Sequence, residues 1–159
     1  QYDHALKLDP QFARAWHSHG AALRKLALYE EAIASYDKAV QYQPTLYEAW
    51  YGRGIALGHL GQNEEAITSY DRAVAVCPDF YPAWYSRGVA YGHLGNYEAA
   101  IASYKHTLQI RPDFPDAISR LQLAENQING GGTVLAEEMD GRESLFETSA
   151  DTVGQRLNS

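Results

Sequence analysis

Residues 47–80, YEAWYGRGIALGHLGQNEEAITSYDRAVAVCPDF, laid without a gap over residues 81–114, YPAWYSRGVAYGHLGNYEAAIASYKHTLQIRPDF, agree at 19 of 34 positions. A period of this length marks a repeated supersecondary unit, which cannot bury its apolar face alone and must stack on its neighbours. One period earlier, from Ala13, the same skeleton returns. Trp16, His19, Gly20, Leu23, Ala32, Tyr36 and Pro44 correspond to Trp50, Arg53, Gly54, Leu57, Ala66, Tyr70 and Pro78, and then to Trp84, Arg87, Gly88, Tyr91, Ala100, Tyr104 and Pro112. Trp, Gly and Leu or Tyr at i, i+4 and i+7 fall on one face of a first helix and form its buried stripe. A glycine inside that helix costs about 1 kcal/mol relative to alanine, so Gly20, Gly54 and Gly88 imply a close approach by the facing helix, with Ala32, Ala66 and Ala100 as the matching small contacts. Gly61 and Gly95 suit left-handed helix caps. Glu64, Glu65 and Glu98 then place acids in the first turn of a second helix, where they complement its dipole. That helix ends before Pro44, Pro78 or Pro112, because the residue before a proline is pushed out of helical geometry.

This skeleton resembles the tetratricopeptide repeat. The resemblance implies an all-α fold, a right-handed superhelical solenoid of antiparallel helix pairs. Three full repeats are expected over residues 13–46, 47–80 and 81–114. Residues 1–12 read as the second helix of a preceding repeat, since Tyr2, Ala5 and Pro10 stand where that helix carries Tyr, Ala and Pro. Residues 115–128 read as a first-type capping helix, with Ile118 and Leu121 apolar but Gln122 and Glu125 in place of packing residues, because a terminal helix needs a polar outer face. His19, Arg53 and Arg87 stand where the family usually has Leu. Arginine stems are expected to pack there while their heads reach a neighbouring acid or water.

In this family the first helices line a concave face, and the resemblance carries its positions onto Arg14, His17, Ala21, Arg24 and Lys25, then Glu48, Tyr51, Ile55, Gly58 and His59, then Pro82, Tyr85, Val89, Gly92 and His93. The expected groove has an apolar floor of Ala21, Ile55, Val89 and, from the cap, Leu123. Tyr51 and Tyr85 lie beside it, with a basic rim of Arg14, Arg24, Lys25 and Arg120. Such a groove suits an acidic, amphipathic protein or peptide segment, because apolar grooves dock helix faces and Tyr supplies contact area at low entropy cost. Family members that clamp a chaperone's C-terminal carboxylate use a groove Lys and Asn; here the matching residues are His17 with Ala21 and Tyr51 with Ile55. Members attached to sugar transferases use an asparagine ladder, and no groove Asn stands in the three full repeats.

The net charge of -7 argues against nucleic acid, whose phosphates demand clustered Lys and Arg. The single cysteine, Cys77, permits no intrachain disulfide and fits a reducing, cytoplasmic location. No apolar run approaches the roughly 20 residues of a membrane span, and no basic-then-apolar leader is present. A chain beginning at Gln1 without Met is expected to be a piece of a longer protein. His59 and His93 stand one repeat apart, on helices separated by roughly 10 Å, too far to share an ion, and His17 and His19 point to different helix faces. No metal site or cofactor is expected. With no nucleophile elbow, P-loop, HExxH or GxGxxG, the chain reads as a non-enzyme: an interaction adaptor or scaffold. Two alternatives are a targeting arm of a larger enzyme with a self-packing tail, and self-assembly by exchanged segments.

Beyond the linker at 129–132, with its three glycines Gly130, Gly131 and Gly132, the pattern changes. Triple glycine makes a flexible joint. In residues 133–159, Leu135 and Met139 share one side of a short helix-like stretch, and Leu145, Phe146, Val153 and Leu157 form a second apolar set. Glu137, Glu138, Asp140, Glu143, Glu147 and Asp151 against Arg142 and Arg156 give a tail charge of -4. An acidic amphipathic tail matches the expected groove, so the chain reads as a fusion of module and ligand, or as a module with a native tail. A tether gives an effective concentration on the order of mM.

Overall fold

A computed structural model describes residues 10–130. All of the regular structure among them is helical: α1 (Pro10–Lys25), α2 (Tyr29–Tyr42), α3 (Tyr47–His59), α4 (Asn63–Val76), α5 (Tyr81–His93), α6 (Tyr97–Ile110) and α7 (Pro115–Ile128). The chain divides into two compact units, Gln1–Pro78 and Asp79–Ser159. In the first, α1 packs on α2, α2 on α3, and α3 on α4; in the second, α5 packs on α6 and α6 on α7. The all-α pairing is the one that the period predicts. Among the described residues no helix is long and apolar enough to cross a membrane.

The core of the first unit centres on Tyr36 with Ala13, Ala32, Ala39, Leu46, Ala49 and Ala56; that of the second centres on Tyr85 and Tyr104 with Val89, Phe114, Ala117 and Ala124. The recurrent glycines are required by aromatic rings rather than by the backbone of the facing helix. A Cβ at Gly54 would lie 2.5 Å from Tyr70 Cε1, one at Gly88 would lie 2.6 Å from Tyr104 Cε1, and one at Gly20 would lie 3.0 Å from Tyr36. The second-helix tyrosine of each repeat therefore occupies the volume that a first-helix side chain would need. Both motif positions recur because neither works without the other.

The helix-to-helix turns expose an irregularity. Gly61 and Gly95 take φ of 77°, as expected of left-handed caps, and Ala27, one period before Gly61, takes φ of 62°. All three turns close alike: the Leu28 amide donates to Leu23 O at 2.9 Å, the Gln62 amide to Leu57 O at 3.0 Å and the Asn96 amide to Tyr91 O at 2.9 Å. These are the long bonds of a Schellman cap. Because the β-carbon of a non-glycine residue strains the left-handed conformation, Ala27→Gly is expected to stabilise the chain by about 1 kcal/mol and Gly61→Ala to destabilise it by a similar amount. Urea unfolding midpoints check both; the idea is wrong if the two substitutions move stability in the same direction.

Candidate functional site

In the first unit the stripe Arg14, His17, Ala21 and Arg24 runs along α1 at i, i+3, i+7 and i+10, which puts the four on one face. The helix sequence PQFARAWHSHGAALRK holds no acid, and Arg24 and Lys25 close its last turn. Arg14 and Lys25 are exposed, while His17, Ala21 and Arg24 are half-buried. Tyr36 of α2 wedges between Gly20 of α1 and Gly52 of α3, where a Cβ would lie 2.5 Å from Tyr36 Cζ. From that slot its hydroxyl accepts a hydrogen bond from Arg24 Nε at 3.2 Å, and its ring centre lies 5.8 Å from that of His17. Burial, with the guanidinium groups of Arg24 and Arg14 nearby, lowers the His17 pKa from 6.5 to about 4. Near neutral pH the face thus pairs a neutral imidazole with fixed cations.

On α3, Tyr51 and Ile55 are buried at 4% exposure each, and the Tyr51 ring lies 6.1 Å from that of Tyr70. His59 is exposed at the end of α3 and stacks on Tyr29 of α2 at 4.5 Å with rings 5° from parallel. Arg53 follows the expectation for its family-divergent position and adds a partner. Its Nε donates to Asp37 Oδ1 at 2.7 Å, and its Nη1 donates to Ser69 Oγ at 2.7 Å. Arg87 Nη1 likewise donates to Ser103 Oγ at 2.8 Å, with its guanidinium 4.8 Å from the Tyr91 ring centre. Ser35, Ser69 and Ser103 are all buried and stand one period apart, a regularity visible in the sequence once the arginines are asked for a partner. Removing only Arg53 leaves the wholly buried Ser69 hydroxyl unsatisfied, at about 1–3 kcal/mol, whereas removing both polar groups is close to neutral. Arg53→Leu is therefore expected to destabilise, and Ser69→Ala added to it to restore most of the loss. Additive losses in the double variant would refute the pairing.

In the second unit, Tyr85 of α5 has no exposed surface. Its ring centre lies 5.5 Å from that of Tyr104 and 5.2 Å from that of Phe114. Arg120, expected on a basic rim, is instead 2% exposed, with its guanidinium 5.9 Å from the Tyr85 ring centre. The reason is physical: a guanidinium over a ring face tolerates burial that a lone cation does not. Burial pushes the Tyr85 hydroxyl far above the ordinary tyrosine range, against the smaller opposing effect of Arg120. Val89 and Leu123 are buried at 7% and 8%, and His93 is exposed at the end of α5. Sequence reasoning passed over Arg111, whose Nη1 donates to Tyr81 Oη at 2.9 Å while its guanidinium lies 4.9 Å from the Phe114 ring centre.

Thus Arg14, His17, Ala21, Arg24 and Lys25 share one helix, Tyr51, Ile55 and His59 a second, and Tyr85, Val89 and His93 a third, with Arg120 and Leu123 on α7. The expected ligand anchors Leu135, Met139, Leu145, Phe146, Val153 and Leu157 lie outside the described residues. Among the described residues no group of three or more His, Cys, Asp or Glu side chains is placed to hold a metal ion.

Paired helices with a tyrosine-into-glycine core and a period of 34 define a helical-repeat protein. The tetratricopeptide repeat model matches residues 81–114, and the related TPR repeat model matches residues 28–61 and 59–95. These matches run unbroken over more than half of the sequence, and the chain belongs to the tetratricopeptide repeat family. No curated protein matches it. Among solved structures, the first TPR of Spaghetti (RPAP3) bound to HSP90 peptide SRMEEVD is 25% identical, with 79% of this chain and 99% of that one covered and a TM-score of 0.76. MamA is 25% identical over 99% of this chain and 86% of its own, at a TM-score of 0.73. The Sgt2 TPR domain from Aspergillus fumigatus is 22% identical over 79% and 83%, at 0.71, and shows the same fold.

Proposed function

We propose that this chain is an interaction adaptor whose first-helix faces take an acidic, amphipathic segment of a protein, with residues 133–159 as one such segment. The observation that carries the reading is the α1 face, where Arg14, His17, Arg24 and Lys25 stand without an acid on the helix. A face of one sign attracts a segment of the other and speeds its encounter. The tail charge of -4 supplies that complement within the same chain. The peptide held by the first TPR of Spaghetti, SRMEEVD, is also acidic, which supports a peptide partner. The chain departs from the chaperone-clamping members at His17, Ala21, Tyr51 and Ile55, so the ligand is read as an internal amphipathic stretch rather than a chaperone terminus.

A labelled peptide of residues 133–159, titrated into the chain ending at Gly130, tests this by fluorescence anisotropy. Saturable binding is expected, with the affinity falling about tenfold on Arg14→Glu with Lys25→Glu, and falling also as salt rises, as screened charge attraction requires. Absence of saturable binding would remove the reading; binding that ignores both charge reversal and salt would remove its electrostatic basis.

A further inference from the structure

We infer that residues 133–140 of this chain dock on the outer face of α7 as the second helix of a fourth, short repeat. The inference concerns a different surface from the α1 face and does not rest on the adaptor reading. What the equivalent residues touch defines the face. In the third repeat Trp84, Arg87 and Gly88 of α5 meet the second helix, α6. The Trp84 ring stacks on that of His106 at 4.0 Å, Arg87 Nη1 donates to Ser103 Oγ at 2.8 Å, and a Cβ at Gly88 would lie 2.6 Å from Tyr104 Cε1. One period later, Ile118, Leu121 and Gln122 hold those places on α7. Ala117 and Ala124, on another side of α7, join the core around Tyr104 and Phe114, whereas Ile118 is 40% exposed and Gln122 is exposed. Among the described residues, then, α7 buries one side on α6 and leaves open the side that α5 gives to its own second helix.

Three observations identify the occupant. The first is the turn after α7. In the third repeat the Leu94 amide donates to Ala90 O at 3.2 Å and the Gly95 amide to Gly92 O at 3.0 Å, with Gly95 at φ 77°. The same pair of bonds follows α7: the Asn129 amide donates to Glu125 O at 3.1 Å and the Gly130 amide to Gln127 O at 3.4 Å, with Gly130 at φ 96°. A left-handed glycine cap of this kind carries the chain from α5 into α6, and here it starts the same reversal. It comes one residue later than the period because α7 has 14 residues where α5 has 13. The second is register. Shifted by that one residue, the wholly buried Ala100 and Tyr104 of α6 correspond to Leu135 and Met139, which at i and i+4 share one side of a helix. The third is a paired replacement. Tyr104 requires glycine opposite it, and in the fourth repeat Gln122 stands in the place of that glycine while Met139 stands in the place of that tyrosine. An unbranched thioether leaves room for a β-carbon and fills irregular gaps. Residues 133–140 lie outside the described residues and begin just past Gly130, so a tether this short presents them to α7 at an effective concentration on the order of mM. Leu145, Phe146, Val153 and Leu157 fall beyond the docked segment and stay available to the adaptor face.

Amide hydrogen exchange of the full chain, read by mass spectrometry, tests this. The amides of residues 135–140 are expected to exchange at least about tenfold more slowly than in an unstructured peptide of the same sequence. Leu135→Asp, outside the helices of the module, should abolish that protection and speed exchange in α7, and Ile118→Asp, at a part-exposed position, should release the segment while α6 keeps its own protection. Phe146→Asp should change neither. Exchange of the segment at the unstructured rate overturns the inference, as does protection that survives both Leu135→Asp and Ile118→Asp. Protection lost in Arg14→Glu with Lys25→Glu but kept in Ile118→Asp would assign the segment to the α1 face, overturning docking on α7 while favouring the adaptor reading. Protection that grows with protein concentration would assign it to a second copy and overturn docking within one chain.

Discussion

Tyr85→Ala is expected to destabilise the second unit by about 3–5 kcal/mol, the range for removing a fully buried aromatic ring, rather than to act mainly on ligand affinity. The ring contributes no surface and contacts Tyr104, Phe114 and Arg120. Its loss opens a cavity bordered by Ala117 and Ala124, side chains too short to collapse into it. It also leaves Arg120, 2% exposed, without the ring face over which its guanidinium is buried. Tyr85→Phe separates the two contributions. It keeps the ring and removes only the hydroxyl, and is expected to cost much less than Tyr85→Ala, because the ring makes the buried aromatic contacts. Circular dichroism during urea unfolding measures both. A loss below about 1 kcal/mol for Tyr85→Ala would mean that the ring can be withdrawn without disturbing the core.

Acid is expected to weaken the first unit through His17. Unfolded, this side chain titrates near 6.5; folded, it titrates near 4, chiefly through burial. Between those values the unfolded chain binds the proton and the folded chain does not, so the stability is fully present above about pH 6.5 and is lost as pH falls through that window. The shift corresponds to up to about 3 kcal/mol by pH 4, accumulating at about 1.4 kcal/mol per pH unit. Carboxylates elsewhere add their own acid sensitivity, so the informative quantity is the difference between the chain and His17→Gln. That difference should move in favour of the variant as pH falls from 7 to about 4. A pH-independent difference would show that folding leaves the His17 proton affinity unchanged.

The sequence by itself determined the repeat, the helix pairs and the family, because those rest on chemistry written at fixed local spacing. A glycine must recur where a neighbour packs close, a proline must end a helix, and an apolar stripe must recur at i, i+4 and i+7; that the close neighbour is a tyrosine ring came from the packing. It also located Arg14, His17, Arg24 and Lys25 on one face of one helix, since helical periodicity alone fixes that. It did not reveal that Ala27 takes the left-handed cap that glycine fills in the next two repeats, because alanine carries no sign of the strain it accepts. Nor did it fix the fate of the arginines. Arg53 finds its acid and its serine each 16 residues away, and Arg120 leaves the surface because Tyr85, far off in sequence, offers a ring face. Only the tertiary structure decided these, and with them the neutrality of His17, because burial and charge at a site are set by what the packing brings within a few ångströms, whatever its distance along the chain.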